Sequence, residues 1–305
     1  MEWAKGEAGS QAVRSSESPS LLLPDDVPPI ALVTDSSAQL PAELITRYQI
    51  AVAPIAVTID GAPFREGIDL APETFFARLH AGADITTSQP SPGDFVEVYE
   101  GLSARGAEQI LSIHVGSEFS GTLNSARTAV DVLGARVAPI TLIDTGAASF
   151  GVGACVWEAA RRLAAGGCAL DAQRRIDEVV PCLATSVLLD GLAHVRAGGR
   201  YDLDGADDAT LVFSGIGSDL EVVGTGATVD ELVSLLARPF AEAGHPIRAA
   251  VALADPATLP YTERLEAALA SMDHVVETTR YQVGPSIAAH TGPGTAGGFF
   301  WPDAG

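Results

Sequence analysis

Short hydroxyl-bearing loops, with no evident reactive group among them, carry the chemistry that this sequence offers. Three are prominent: Thr34-Asp35-Ser36-Ser37, Thr86-Thr87-Ser88-Gln89-Pro90 and Gly116-Ser117-Glu118-Phe119-Ser120-Gly121-Thr122. Thr87, Ser88, Ser117, Ser120 and Thr122, with Gly121 among them, put neutral donors on Gly- and Pro-rich segments. Such loops approach an anion closely without adding acidic bulk. The same residue types also make turns and helix caps, and the pattern alone leaves both readings open. A fourth segment, His290-Thr291-Gly292-Pro293-Gly294, sets an imidazole beside a tight loop. The other histidines are scattered: His80, His245 and His274 read as solvated or helix-end residues, and His114 falls inside a strand pattern as a satisfied side chain.

Spacing argues against the common catalytic devices. A nucleophile elbow needs G-x-S-x-G, but Ser120 has Glu118 two residues before it and Thr122 two after. Gly292 to Gly297 spells G-x-G-x-x-G with only eight residues following, too few to open a dinucleotide-binding βαβ unit. No H-x-E, H-E-x-x-H or Cys/His cluster points to a metal or other cofactor. Cys155, Cys168 and Cys182 form no C-x-x-C pair and sit in helix-like stretches. They are expected to be buried structural thiols in a reducing compartment. The expectation is a protein that grips a ligand and does not catalyse.

The elements that must position these loops follow from the apolar pattern. Ile30–Val33, Ile110–Val115 and Ile140–Ile143 are strand-like runs, each ending in a small polar cluster. Helical stretches follow the second and third, over Leu123–Leu133 and up to Leu163. Strands alternating with helices argue for βαβ units and a parallel sheet, whose carboxyl-end loops converge on one crevice. Ser91 suits an N-cap, Pro92 the first helical position and Asp94 a capping-box acceptor, so Thr87 and Ser88 are expected on a proline-stiffened loop. The second half reads as an α+β unit with a mixed or antiparallel sheet, and the chain closes with Gly284 to Gly294, where Thr291 to Gly294 make the tight loop beside His290. The fold class is therefore α/β in two domains, 29–168 and 169–305. Residues 1–28, rich in Ser, Glu, Gly and Pro, read as a flexible extension.

The 305-residue chain holds 18 Lys and Arg against 39 Asp and Glu, a formal net charge of −21. That field repels nucleic-acid phosphates and anionic lipid headgroups, so an anionic ligand needs a local patch of donors to be held at all. No signal-peptide pattern and no membrane-length apolar run are visible, and a cytoplasmic protein is expected.

Taken in order, Thr34-Asp35-Ser36, Thr87-Ser88-Gln89-Pro90-Ser91, Ser117 to Ala126, Asp144-Thr145, Gly198-Gly199-Arg200 and His290 to Gly294 resemble the DegV family. This family includes the fatty-acid-binding subunits of bacterial fatty acid kinase, and the likeness covers roughly residues 30–300. It implies a DegV-like fold, with an N-terminal Rossmann-like parallel sheet and a C-terminal α/β domain around a long-chain fatty acid tunnel. It implies carboxylate contacts from Thr87, Ser117 and His290, with Ser88, Ser120, Gly121 and Thr122 shaping the surrounding loops. It further implies a carrier without catalysis of its own, which presents the acid to a separate ATP-binding kinase subunit for acyl-phosphate formation. The sequence departs from the family pattern at His194-Val195-Arg196-Ala197 and in the short acidic stretch Tyr201 to Asp208. Two other readings stay open: a serine-dependent lipid hydrolase or acyltransferase using Ser117 or Ser120 with His290, and a lipid sensor without a kinase partner.

Overall fold

The structure, a computed structural model, describes residues 23–24, 26–189, 211–217 and 219–304. The Gly198-Gly199-Arg200 motif, the departures over 194–208 and most of the N-terminal extension lie outside the described residues.

The first half runs β1 (Ile30–Asp35), α1 (Ala42–Tyr48), β2 (Ala51–Ala53), β3 (Ala56–Ile59), β4 (Ala62–Arg65), α2 (Pro72–His80), β5 (Ile85–Ser88), α3 (Pro92–Ala104), β6 (Gln109–His114), α4 (Thr122–Leu133), β7 (Ile140–Asp144), α5 (Phe150–Ala164) and α6 (Ala169–Val179). The second runs β8 (Ala184–Leu189), β9 (Leu211–Ile216), β10 (Asp219–Thr225), α7 (Val229–Ala241), β11 (Ile247–Leu253), α8 (Leu259–Ala270), β12 (Val275–Gln282), α9 (Pro285–Thr291) and β13 (Ala296–Pro302).

β2, β1, β6 and β7 form a parallel sheet in that order. Alternate side chains go to opposite faces. Ala31, Val33 and Ile110 pack with Phe95, Val98, Tyr99 and Leu102 of α3 and with Ala126, Ala129 and Leu133 of α4. Leu32, Leu111 and Ile113 pack on the other side with α5 and α6. Burial on both faces explains why these strands read as continuous apolar runs. Leu23 and Val27, just before β1, lie against the α3 face.

α3 starts as its sequence dictates: Ser91 Oγ accepts from the Asp94 N–H at 3.2 Å and Asp94 Oδ2 accepts from the Ser91 N–H at 2.7 Å. Thr87 and Ser88, however, belong to a strand and not to the loop before this helix. They end β5, paired with Val57 and Ala56 of β3 in a small antiparallel sheet of order β4-β3-β5. The β-branched run Ile85-Thr86-Thr87 suits a pleated edge, and the loop begins only at Gln89. β3 and β4 turn through Asp60 and Gly61, both at positive φ, as a two-residue hairpin demands.

The second half forms a six-stranded mixed sheet, β10-β9-β8-β13-β11-β12, parallel only between β11 and β12. α7 and α8 cover one face. The other face meets α5, with Phe150 stacked on Tyr281 at 4.7 Å and Trp157 edge-on to Trp301 at 5.8 Å. Glu158 of α5 accepts from Trp301 Nε1 and Arg175 Nε, each at 2.9 Å, and lies 3.4 Å from Arg248. This buried ionic cluster ties the two halves together.

β13 lies inside this sheet, and its glycines allow it to. At Gly297 and Gly298 a Cβ would come within 2.1 Å of the carbonyl oxygens of Ser186 and Ala250. Only glycine lets the neighbouring strands close on these two positions. The cysteine expectation holds for one residue of three. Cys155 is buried in α5, whereas Cys168 and Cys182 are exposed. Cys168 sits at the cap before α6 and Cys182 in the 3-10 turn after it, positions open to solvent.

Candidate functional site

Residues from both halves line a cavity of about 280 Å³. One wall is the carboxyl end of the parallel sheet: Ser37 after β1, Val115 after β6, and Ala147 to Ser149 after β7. This is the crevice where open α/β sheets bind ligands. The opposite wall is the second sheet, where Thr185, Val187 and Leu189 present alternate positions of β8, joined by Leu220, Ala252, Tyr281 and Phe299. No Asp, Glu, Lys or Arg is among the described lining residues. In a chain of charge −21, this is a local exclusion of carboxylates.

Of the residues singled out from the sequence, Thr87, Ser88, Ser120, Gly121 and His290 line the cavity together. Thr87 Oγ1 and His290 Nε2 are 2.8 Å apart. Ser117 and Thr122 are not among the lining residues. Ser117 is exposed, and its N–H donates to Asp144 Oδ1 at 3.2 Å. Asp144 Oδ1 also accepts from Gly146 N at 3.1 Å, which joins the β6 and β7 loops. Thr122 is fully buried at the start of α4, with its hydroxyl 2.9 Å from that of Ser120.

His290 stands near the end of a short helix, α9, just before the tight turn at Gly292. Gly284 precedes Pro285, which takes the first helical position, and Gly292 at φ 86° ends the turn. α9 turns Ser286, Ile287, His290 and Thr291 toward the cavity. Its start is anchored across the molecule: Glu66 Oε1 accepts from the Ser286 N–H at 2.8 Å, Ser36 Oγ donates to Glu66 Oε2, and Ile55 N–H donates to Ser36 Oγ at 2.9 Å. Burial pushes the Glu66 carboxyl above its ordinary range, and the hydrogen bonds from Ser36 and Ser286 offset part of that shift. Burial likewise raises the Tyr281 phenol on the far wall.

The Thr34-Asp35-Ser36 motif works beneath the surface. Asp35 Oδ1 accepts from the Ser37 N–H at 3.1 Å and from its hydroxyl, while Oδ2 meets His114 Nδ1 at 3.0 Å and the Val115 N–H at 3.3 Å. His114 Nε2 lies 2.6 Å from Ser112 Oγ, itself 2.7 Å from the Tyr99 hydroxyl. The Asp–His–Ser line resembles a hydrolytic triad, but all four side chains are wholly buried and no substrate reaches Ser112. The network fixes the ends of β1 and β6, whose next residues, Ser37 and Val115, form the cavity wall. His114 is thus the satisfied strand histidine expected from its sequence context.

Sequence reasoning missed Ser37, Ser149, Ser286 and Thr295 as lining residues. For Ser286 a signal existed: reading Gly284-Pro285 as a helix start puts it one turn before His290. Among the described residues no group of three His, Cys, Asp or Glu could hold a metal ion, and no helix is long and apolar enough to cross a membrane. Chemically, the site offers neutral donors and one imidazole beside apolar strand faces, which suits an amphipath with a small anionic head.

The family model described as "Uncharacterised protein, DegV family" matches residues 29–203. A DegV domain-containing protein of Caldanaerobacter subterraneus subsp. tengcongensis is 30% identical over 283 residues, covering 89% of this chain and 98% of its own. A similar structure is that of a DegV family protein from Thermus thermophilus, a study of its fatty acid binding. It is 29% identical with a TM-score of 0.76, covering 90% of this chain and 99% of that one. The structure of DegV, a fatty acid binding protein from Bacillus subtilis, is 26% identical with a TM-score of 0.77 and covers the same shares.

Proposed function

The chain belongs to the DegV family, and on that premise we propose that it is a long-chain fatty-acid-binding protein. The observation that carries this reading is the cavity whose described lining residues include hydroxyls and an imidazole but no Asp, Glu, Lys or Arg. Thr87 and His290 hold the ligand carboxylate. Ser88, Ser120 and Gly121 shape the pocket around it, and Ser117 and Thr122 act through the loop and helix start they occupy. The acyl chain runs over Val187, Leu189, Ala252 and Phe299, between a first domain of residues 29–168 and a second of 169–305.

Burying the acyl chain at about 0.8 kcal/mol per CH₂ contributes on the order of 10 kcal/mol, much of it offset by lost freedom on association. Affinity comes from the tail and orientation from the donors. The protein is a cytoplasmic carrier without a catalytic step of its own. A separate kinase subunit transfers the terminal phosphoryl group of ATP to the presented carboxylate, giving acyl-phosphate and ADP. Titration of delipidated protein with a fluorescent long-chain fatty acid tests the reading. It predicts saturation at one ligand per chain and competition by unlabelled acid. No saturable uptake would reject it.

A further inference from the structure

We infer that Ser286 is a further binding residue, whose hydroxyl donates to the second oxygen of the ligand carboxylate. The inference rests on the fatty-acid-binding reading above and deepens it. The argument is an accounting of the hydroxyl protons at the cavity wall. Ser37 donates to Asp35, Ser149 to Gln39 Oε1 at 2.8 Å, Thr185 to the Gly298 carbonyl at 3.1 Å and Thr295 to the Gly292 carbonyl at 2.9 Å. Each of these protons is already committed to the protein.

Ser286 differs. It lines the cavity, is only 5% exposed, and its Oγ has no hydrogen-bond partner. Its hydroxyl lies close enough to Glu66 to lower that carboxyl's pKa. Yet the bond of sound geometry to Glu66 comes from the Ser286 backbone N–H at 2.8 Å. An unpaired buried hydroxyl costs free energy, and such groups in a native structure call for a partner. A ligand supplies one.

The position fits a carboxylate already gripped at His290. Residues four apart on a helix have Cβ atoms about 5–6 Å apart on one face. With both residues on the cavity side of α9, one carboxylate gives one oxygen to the Thr87–His290 pair and the other to Ser286, with bonds of about 2.7–2.9 Å at each. α9 is thereby a two-point clamp, pinned at its start by Glu66 so that the two donors keep their spacing.

The test is binding of a saturated long-chain fatty acid, and of the primary alcohol with the same chain, to delipidated wild-type protein and Ser286→Ala, with melting of both ligand-free. The clamp predicts that Ser286→Ala weakens the acid by about tenfold or more, the value of a hydrogen bond to a charged group. Alcohol affinity stays within about twofold, and the ligand-free melting temperature is unchanged or raised, because the variant deletes an unsatisfied hydroxyl. Unchanged acid affinity overturns the assignment. So does a parallel loss for acid and alcohol with lower melting, which marks a structural role. Wild-type protein that takes up neither ligand overturns the fatty-acid reading and the assignment together.

Discussion

His290 Nε2 lies 2.8 Å from Thr87 Oγ1, although 203 residues separate them in sequence. One comes from a short helix near the end of the chain and the other from the end of β5, an edge strand in the first half. Glu66 and Ser36 help to bring the pair together by holding the start of α9 beside the ends of β4 and β1.

If this pair grips the carboxylate, Thr87→Val and His290→Gln each weaken fatty acid binding by about tenfold, the range for losing a hydrogen bond to a charged group. The double variant loses less than the two effects summed, because the residues share one hydrogen bond and one ligand oxygen. Calorimetric titration of the four proteins measures the coupling, and strict additivity would separate the two roles.

Glu66 gives the fold a pH dependence of known sign. Burial raises its pKa above the ordinary carboxylate range, so the folded state holds the proton more tightly than the unfolded chain. The stability from this group is fully present below the ordinary carboxylate range and is lost as pH rises through the folded value. Glu66→Gln, neutral and still an acceptor for the Ser286 N–H, flattens that decline. Urea unfolding at a series of pH values from acid to neutral checks it, and parallel wild-type and variant profiles would contradict it.

Val187, on the cavity face of β8, tests the tail. Val187→Trp fills space that the acyl chain needs, so affinity for long-chain acids falls steeply while shorter acids of the same headgroup are retained. Competition assays across a chain-length series read the shift. An equal loss at every length would mean that the side chain disturbs the head instead.

The parallel sheet was legible because β1 and β6 are buried on both faces and so read as largely apolar runs, a pattern that β7 repeats at the sheet edge. The capping box at Ser91 and Asp94 was legible because it is local. The errors share a cause: tertiary pairing decides them. β5 is a strand because β3 pairs with it. β13 is a strand because two neighbours close on Gly297 and Gly298, positions whose composition signals a loop. Ser286 was hidden because no element was assigned to residues 284–290, which left the helical spacing to His290 unread. Cys168 and Cys182 were misjudged because apolar neighbours do not reveal which side of a helix end faces water.

That last correction is itself testable. Iodoacetamide under native conditions labels Cys168 and Cys182 but spares Cys155, which is buried and has its thiol pushed up to about 12. Peptide mapping after labelling reads this directly, and modification of Cys155 without unfolding would contradict the packing of α5.

Native mass spectrometry of the purified protein, followed by denaturation and identification of any released lipid, tests the central claim most directly. The account predicts a folded species heavier than the bare chain by one long-chain fatty acid, with that mass lost on denaturation and lost or reduced in the Thr87 and His290 variants. A bare chain that also stays bare after incubation with long-chain fatty acids would contradict it.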